Sequence, residues 1–263
     1  MPGESAAPNS VVNSRAKAYL QASQRPLTAL IFVLPMILAY EIGVVALGSG
    51  AVRNGADVWL RKSLTYAGFG QYFLLPILVV AILLGWHHTR RDPWKIEMRI
   101  IRWMWLESLA LGSLLLAIAF VVGSYFAQLP SLYVPSTAGS MSEVLARMIG
   151  YLGAGLYEEL MFRLLLFSIC YGVLLAVRLK PTAATMVAVI ASSLLFAAAH
   201  YQFDFEILGY RFATTIGDRF AWSSFVFRAL AGAYFAVLFA YRGFGIAAGA
   251  HAIYDVLVAF VQD

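Results

Sequence analysis

The sequence predicts an all-α fold, a polytopic transmembrane bundle of about seven spans with a short interfacial helix. Hydrophobic residues make up 61% of its 263 residues and charged residues only 13%. The mean hydropathy of +0.76 lies far outside the usual range of soluble domains. The apolar residues also gather in stretches of about 20, the length that crosses a bilayer as a helix. The chain is therefore predicted to be an integral membrane protein.

Composition also excludes several other classes. The single cysteine, Cys170, lies in an apolar run, so the sequence contains neither a disulfide framework nor a thiolate metal cluster. The formal charge is +5, but no basic tract is interleaved with aromatic residues, and nucleic acid is not a predicted partner. The lipid bilayer is the partner that the composition predicts.

The chain divides into three predicted parts, which are an N-terminal tail at 1–26, N-terminal transmembrane helices at 27–141 and a core at 142–263 that holds the chemistry. Between the first two spans, a segment that mixes charged and apolar residues is typical of a helix lying in the membrane interface. In chain order, the predicted spans are 27–48, 67–86, 103–127, 142–178, 182–200, 222–241 and 245–261, and the interfacial helix is 49–66.

The distribution of positive charge predicts the orientation. Lys and Arg are concentrated in 87–102, whereas the loop 128–143 contains neither. By the positive-inside rule the first segment is cytoplasmic, which places the N-terminus in the cytoplasm. The pair His87 and His88 is predicted to be a solvated feature of this basic loop and not a metal site. Glu41, inside the first span, is either a partner of a functional site or an interfacial residue.

The segment 155–163 places Glu158, Glu159 and Arg163 inside an otherwise apolar stretch. A charged group within a membrane costs at least about 2.5–3.5 kcal/mol, so such a residue indicates a functional site. Helical spacing puts Glu159 and Arg163 on one face, where they can pair, while Glu158 is rotated by about 100°. A structural ion pair would explain Glu159 and Arg163 but not Glu158.

Further polar residues follow on later spans. His200 ends the fifth predicted span, and His251 and Asp255 share one face of the seventh. A glutamate with two imidazoles suits the activation of water, the carboxylate acting as general base. Alternatively Glu158, His200 and His251 bind Zn²⁺ and leave a fourth position for water. The His-Glu-x-x-His signature of zinc proteases is absent, which weakens the zinc alternative without removing it.

These residues form three motifs around Glu158, His200 and His251, which lie in this order on separate late spans. The motifs resemble those of the CPBP family. Its members are intramembrane proteases related to the type II CAAX prenyl endopeptidase and are known in bacteria as Abi proteins. The resemblance covers residues 142–261. It implies an intramembrane endopeptidase, of metallo or glutamic type, that cleaves a membrane-anchored protein or peptide in the inner membrane of a bacterial cell. The motifs are Glu158-Glu159-x-x-x-Arg163, Phe196-x-x-x-His200 and His251-x-x-x-Asp255.

The resemblance also implies a role for each residue. Glu158 would activate water that His200 positions, and Glu159 with Arg163 would organise the site. His251 and the residue four later would stabilise the oxyanion. The family often has Asn at that last position, and here it is Asp255. Because an ionised Asp cannot donate to an oxyanion, Asp255 either orients His251 or is protonated.

Two other functions compete with proteolysis. One is a proton-coupled transporter in which Glu158, His200 and Asp255 form a relay. The other is a non-catalytic membrane immunity or scaffold protein. A further expectation concerns depth, because His200 falls near the outer end of its span and His251 in the inner third of its own. Their convergence requires the fifth helix to continue past His200, or the last two helices to tilt or break.

Overall fold

Helices account for most of the described structure. The computed structural model describes residues 8–48, 51, 53–70, 72–125, 141–207, 210–214 and 217–262. In chain order the helices are α1 Pro8–Ser23, α2 Pro26–Leu47, α3 Gly55–Tyr66, α4 Leu74–Arg90, α5 Met98–Tyr125, α6 Met141–Gly153, α7 Ser168–Ala176, α8 Pro181–Ala198, α9 Trp222–Arg242 and α10 Phe244–Gln262. Two π-helical segments, Ala154–Glu158 and Leu160–Phe167, lie between α6 and α7.

Six helical stretches in the described ranges are long and apolar enough to cross a membrane. The predicted class, an all-α polytopic bundle, is confirmed. The stretches are Pro26–Leu47, Met98–Val122, Glu143–Ala176, Pro181–Ala198, Trp222–Arg242 and Phe244–Val261. The predicted span 67–86 corresponds to the shorter α4, which begins at Leu74 because the chain turns at Gly68, whose φ is 88°.

The solvated-loop prediction is wrong for His87. Helix α4 continues to Arg90, so His87 lies in its last turn and shares a face with the buried Leu83. The His87 side chain is fully buried, and its ring meets Trp94 edge-on with 4.6 Å between the ring centroids. His88, one position further around the helix, is exposed as predicted.

The short helix predicted at 49–66 is α3. Asn54 caps its N-terminus, because the side-chain oxygen accepts a hydrogen bond from the amide of Ala56 at 2.8 Å. Within α3, Asp57 and Arg61 are four residues apart and so share one face, and Arg53, just before the cap, pairs with Asp57. Asp57 is fully buried, which shows that this polar face points into the bundle.

Helix α10 lies at the centre of the bundle and packs against α2, α5, α9 and the first π-helical segment. Most residues in its first half are Gly or Ala and are buried, which lets neighbouring helices approach closely. The region 201–221, predicted as a loop, contains an antiparallel hairpin of β1 Phe203–Ile207 and β2 Tyr210–Thr214. This hairpin follows α8 and precedes α9.

The segment predicted as one α-helix at 142–178 is helical from Met141 to Ala176, but its middle is π-helical. Such segments are rare and occur frequently at functional sites. Gly155 lies directly against α10, where an added Cβ would come within 2.5 Å of the backbone nitrogen of Ala252. The absent side chain at Gly155 therefore lets this segment reach the part of α10 that holds His251.

Candidate active site

Glu158 ends the first π-helical segment, and its two carboxylate oxygens have different surroundings. Oε1 accepts a hydrogen bond from Nδ2 of Asn54 at 2.7 Å. Oε2 lies 3.9 Å from Nε2 of His200 and 3.8 Å from Nε2 of His251. Both separations exceed a direct hydrogen bond and are typical of groups bridged by water. One oxygen is thus held in place, and the other faces two imidazoles.

His200 lies in the turn that follows the end of α8 at Ala198. Its Nδ1 is 2.7 Å from the carbonyl oxygen of Phe196, so Nδ1–H donates to that carbonyl. In the neutral ring the other nitrogen, Nε2, then carries a lone pair and is an acceptor. Burial lowers the pKa of His200, and the nearby Glu158 carboxylate opposes this shift. The neutral form is the one that burial favours.

His251 is oriented by Glu159 and Phe235. Its Nδ1 donates to Oε1 of Glu159 at 2.8 Å, and its ring stacks on Phe235 with 4.3 Å between centroids and 12° between planes. The other nitrogen, Nε2, faces Glu158 and also lies 3.6 Å from Oδ2 of Asp255. Glu159, and not Asp255, is therefore the carboxylate that holds the imidazole through Nδ1.

Glu159 and Arg163 form a fully buried ion pair, with Nη1 of Arg163 3.0 Å from Oε1 of Glu159. The pair survives the π-helical backbone because residues four apart still share a face. Nη2 of Arg163 donates to the carbonyl oxygen of Gly232 at 2.9 Å, and the guanidinium lies 4.4 Å from the Phe196 ring centroid. The buried cation is thus met by a carboxylate, a carbonyl and an aromatic face.

The structure brings the sequence-predicted residues together. A cavity of about 500 Å³ is lined by Glu158, His200, His251 and Asp255, while Glu159 and Arg163 lie behind His251 and Glu158. A second cavity of about 250 Å³ shares Glu158 and His200 with the first. Of the two alternatives for the convergence of the two imidazoles, the continuation of α8 past His200 does not occur, since α8 ends at Ala198. The two imidazoles still reach the same Glu158 oxygen.

Sequence reasoning missed Asn54, the residue that holds Glu158. The two residues are 104 positions apart, so no helical spacing relates them. Asn54 immediately precedes Gly55 and the helical pattern of α3, and this pattern indicates a capping residue. The cap uses the side-chain oxygen, which leaves the amide nitrogen to donate elsewhere. A search for N-cap residues could have singled out Asn54, but not its partner.

A buried polar network supports this arrangement. Asp57 accepts hydrogen bonds from Tyr40 at 2.9 Å, Arg53 at 2.8 Å and Arg61 at 2.6 Å. Arg61 also donates to Glu41 at 2.8 Å. Glu41 in turn accepts from the hydroxyl of Tyr157, next to Glu158 in the chain, at 2.5 Å. The network joins α2 and α3 to the π-helical segment, and Glu41 belongs to it.

Glu158, His200 and His251 are farther apart than the ligands of a zinc ion. Ligands around tetrahedral Zn²⁺ lie about 3.3 Å from one another, given metal–ligand distances of about 2.0–2.1 Å. The Glu158 oxygen is 3.8 Å and 3.9 Å from the two imidazole nitrogens. Across the described ranges, no group of three or more His, Cys, Asp or Glu side chains could hold a metal ion. As placed, these side chains do not fit zinc, and the zinc alternative stays a prediction.

The segment that contains this site is similar to a known protein family. Residues 140–257 match a family model described as type II CAAX prenyl endopeptidase Rce1-like. The matched range runs from α6 into α10 and contains every sequence-predicted site residue. Neither the search of curated proteins nor the search of solved structures found a match. Residues 140–257, which hold the candidate site, are therefore similar to the Rce1-like family of type II CAAX prenyl endopeptidases.

Proposed function

We propose that this membrane protein is an intramembrane endopeptidase that hydrolyses a peptide bond of a membrane-anchored protein or peptide, with Glu158 as general base. The observation that carries the proposal is the geometry of Glu158. One oxygen is held by Asn54, and the other faces Nε2 of His200 and of His251 inside a cavity. The family match supports a protease of the CAAX type.

The first step is attack by water. The carboxylate oxygen of Glu158 and Nε2 of His200 are both acceptors, and their separation of 3.9 Å suits one water that donates to each. The water then presents a lone pair to the carbonyl carbon of the scissile bond. As the new C–O bond forms, Glu158 takes one proton from the water.

The second step is stabilisation and collapse of the tetrahedral intermediate. His251 acts in its doubly protonated form, in which Nδ1–H donates to Glu159 and Nε2–H donates to the oxyanion. Asp255, in its protonated form, supplies a second donor from the position that the family often fills with Asn. Glu158 then gives its proton to the amide nitrogen as the C–N bond breaks, which releases an amine and a carboxylic acid and restores the base.

Residues from both proposed parts of the membrane region, 27–141 and 142–263, contribute to the site. Residues 142–263 are the proposed catalytic core, and 27–141 form its support, because Asn54 and Asp57 belong to that part. The tail at 1–26 contains α1. We also propose a bacterial inner membrane with the N-terminus in the cytoplasm. Contacts of Arg242 with Ser23 and Glu107 bring together the basic ends of several helices, as the positive-inside rule expects.

The test is cleavage of a library of membrane-anchored peptides by the purified, detergent-solubilised protein. We expect Glu158→Gln to lower turnover about 10²–10⁴-fold, because an amide cannot accept the proton. Glu97→Gln, an exposed change of the same kind, is the matched control and should leave cleavage unchanged. Retained cleavage by Glu158→Gln would refute the proposed base.

The same assay with a chelator separates the two catalytic types. Full activity in the chelator, restored by no added metal, supports the glutamate mechanism. Loss of activity that Zn²⁺ restores would replace it with the zinc alternative. If the wild type cleaves no substrate but moves protons in liposomes, the transporter alternative is favoured over proteolysis.

A further inference from the structure

We propose that a groove between α1 and α5 binds the headgroup of an anionic phospholipid. The groove has a volume of about 870 Å³ and is lined by Arg15, Arg25 and Arg99 together with Trp103 and Leu106. Its described lining residues are all different from those of the candidate active site. The proposal does not depend on the proteolytic activity.

The groove carries an excess of positive charge. Of its two acids, Glu107 is already neutralised, because both its oxygens accept from Arg242, at 2.6 Å and 2.7 Å, and Tyr19 donates to it as well. Glu97 is exposed. Within the part of the chain that the structure describes, no ion pair joins Arg15, Arg25 or Arg99 to a carboxylate. These cations therefore remain available for an anion.

The lining side chains of α5 change from charged to apolar along the helix, in the same order as the headgroup and acyl chain of a phospholipid. Arg99, Trp103 and Leu106 stand at positions i, i+4 and i+7, so they share one face over about 10 Å of helix. Trp103 is 52% exposed and Leu106 55% exposed. The cation Arg99 can meet the lipid phosphate, Trp103 lies at the level of the membrane interface, and Leu106 can contact an acyl chain.

The position in the bundle favours a lipid over a soluble anion. The groove lies at the end where α1 and the start of α2 meet α5 and the end of α9, as the contact between Ser23 and Arg242 shows. Basic pockets between transmembrane helices at one membrane surface bind anionic headgroups. A free anion would use the arginines alone and leave the apolar part of the groove exposed to water.

The experiment measures lipid binding to the full-length protein in detergent. Phosphatidylglycerol with brominated acyl chains is titrated, and quenching of tryptophan fluorescence reports binding. We expect saturable quenching that Trp103→Phe largely removes. The triple variant Arg15→Gln, Arg25→Gln, Arg99→Gln should bind about tenfold more weakly or worse, since each juxtamembrane cation adds to the attraction.

The matched control removes the same charge from exposed positions elsewhere, through Lys62→Gln, Arg178→Gln and Lys180→Gln, and should bind as the wild type does. Thermal unfolding checks that both triple variants are folded, and Arg99→Gln alone serves if the first is not. Equal binding of brominated phosphatidylcholine, unchanged binding by the groove variants, or displacement of the lipid by millimolar inorganic phosphate would overturn the proposal.

Discussion

At the scale of single residues, the neighbours Glu158 and Glu159 are identical side chains whose surroundings suit them to different proposed roles. Glu159 is fully buried between Arg163 and His251, so its charge is compensated on both sides. Glu158 has one hydrogen bond to Asn54 and one oxygen directed into the cavity. The first is suited to hold other groups, and the second to exchange a proton.

Asn54 is expected to be a positioning residue for Glu158. Asn54→Ser keeps an oxygen that can cap α3 but removes the amide donor. A hydrogen bond to a charged group contributes about 1.5–3 kcal/mol, so we expect turnover to fall about ten- to hundredfold. Steady-state kinetics should show the loss in kcat with little change in KM or in melting temperature. A lower melting temperature with unchanged kcat would mean that Asn54 only caps the helix.

Asp255 is expected to act as a neutral donor. An Asp donates only while it is protonated, so wild-type activity should fall as the pH rises through the pKa of that carboxyl. Asn donates at every pH, and Asp255→Asn should therefore keep activity on the alkaline side, whereas Asp255→Leu should lose it throughout. The measurement is a pH profile of kcat for the three proteins. Identical alkaline limbs for wild type and Asp255→Asn would contradict this role.

At the scale of elements, the decisive contact is between the π-helical segment and α10. Gly155 and Ala252 meet there with no room for another atom. This contact sets the distance between Glu158 on one element and His251 on the other. The packing therefore determines the site geometry as well as the stability of the bundle.

We expect Gly155→Ala to destabilise the fold by about 1–3 kcal/mol, because the added methyl group would overlap the backbone of Ala252. The control is Gly172→Ala in α7, where a Cβ meets nothing within 4 Å. That change should be neutral or stabilising by up to about 1 kcal/mol, since Ala favours a helix over Gly. The free energy of unfolding in detergent is the measurement. Equal changes for the two substitutions would show that the close contact with Ala252 is not the reason for glycine at position 155.

At the scale of the whole molecule, the N-terminal helices complete the site that the later helices begin. The Asp57 network connects α2, α3 and the π-helical segment, and α3 supplies Asn54. Asn54 and the network residues of α2 and α3 lie outside the range 140–257 that the family model matches, and Tyr157 of the network lies inside it. The matched segment therefore holds the motif residues but not every group that orients them.

The orientation of the whole chain is also testable. In a Cys170→Ser background, we expect a membrane-impermeant thiol reagent to label Lys62→Cys from outside the cell. Ser14→Cys should be labelled only after lysis, because the positive-inside rule places the N-terminal end in the cytoplasm. Both positions are exposed in the structure. The reverse pattern of labelling would invert the proposed topology.

The predictability of the site differed between residues. The pairing of Glu159 with Arg163 was predictable because both lie on one helix four residues apart. The approach of His200 and His251 to Glu158 was predictable only through the resemblance to a family, since no local rule relates three separate helices. The burial of His87 was missed because the end of α4 was placed too early.

The sequence by itself determined the all-α membrane class, most of the spans and the motif residues of the candidate site. Hydropathy and charge spacing are local properties of the sequence. They are strong signals because each unpaired polar group in a bilayer costs free energy. The tertiary structure alone decided that Asn54 holds Glu158, that Glu159 rather than Asp255 holds Nδ1 of His251, and that Gly155 meets Ala252. Such contacts depend on packing between distant helices, where a shift of about 1 Å decides whether a hydrogen bond forms.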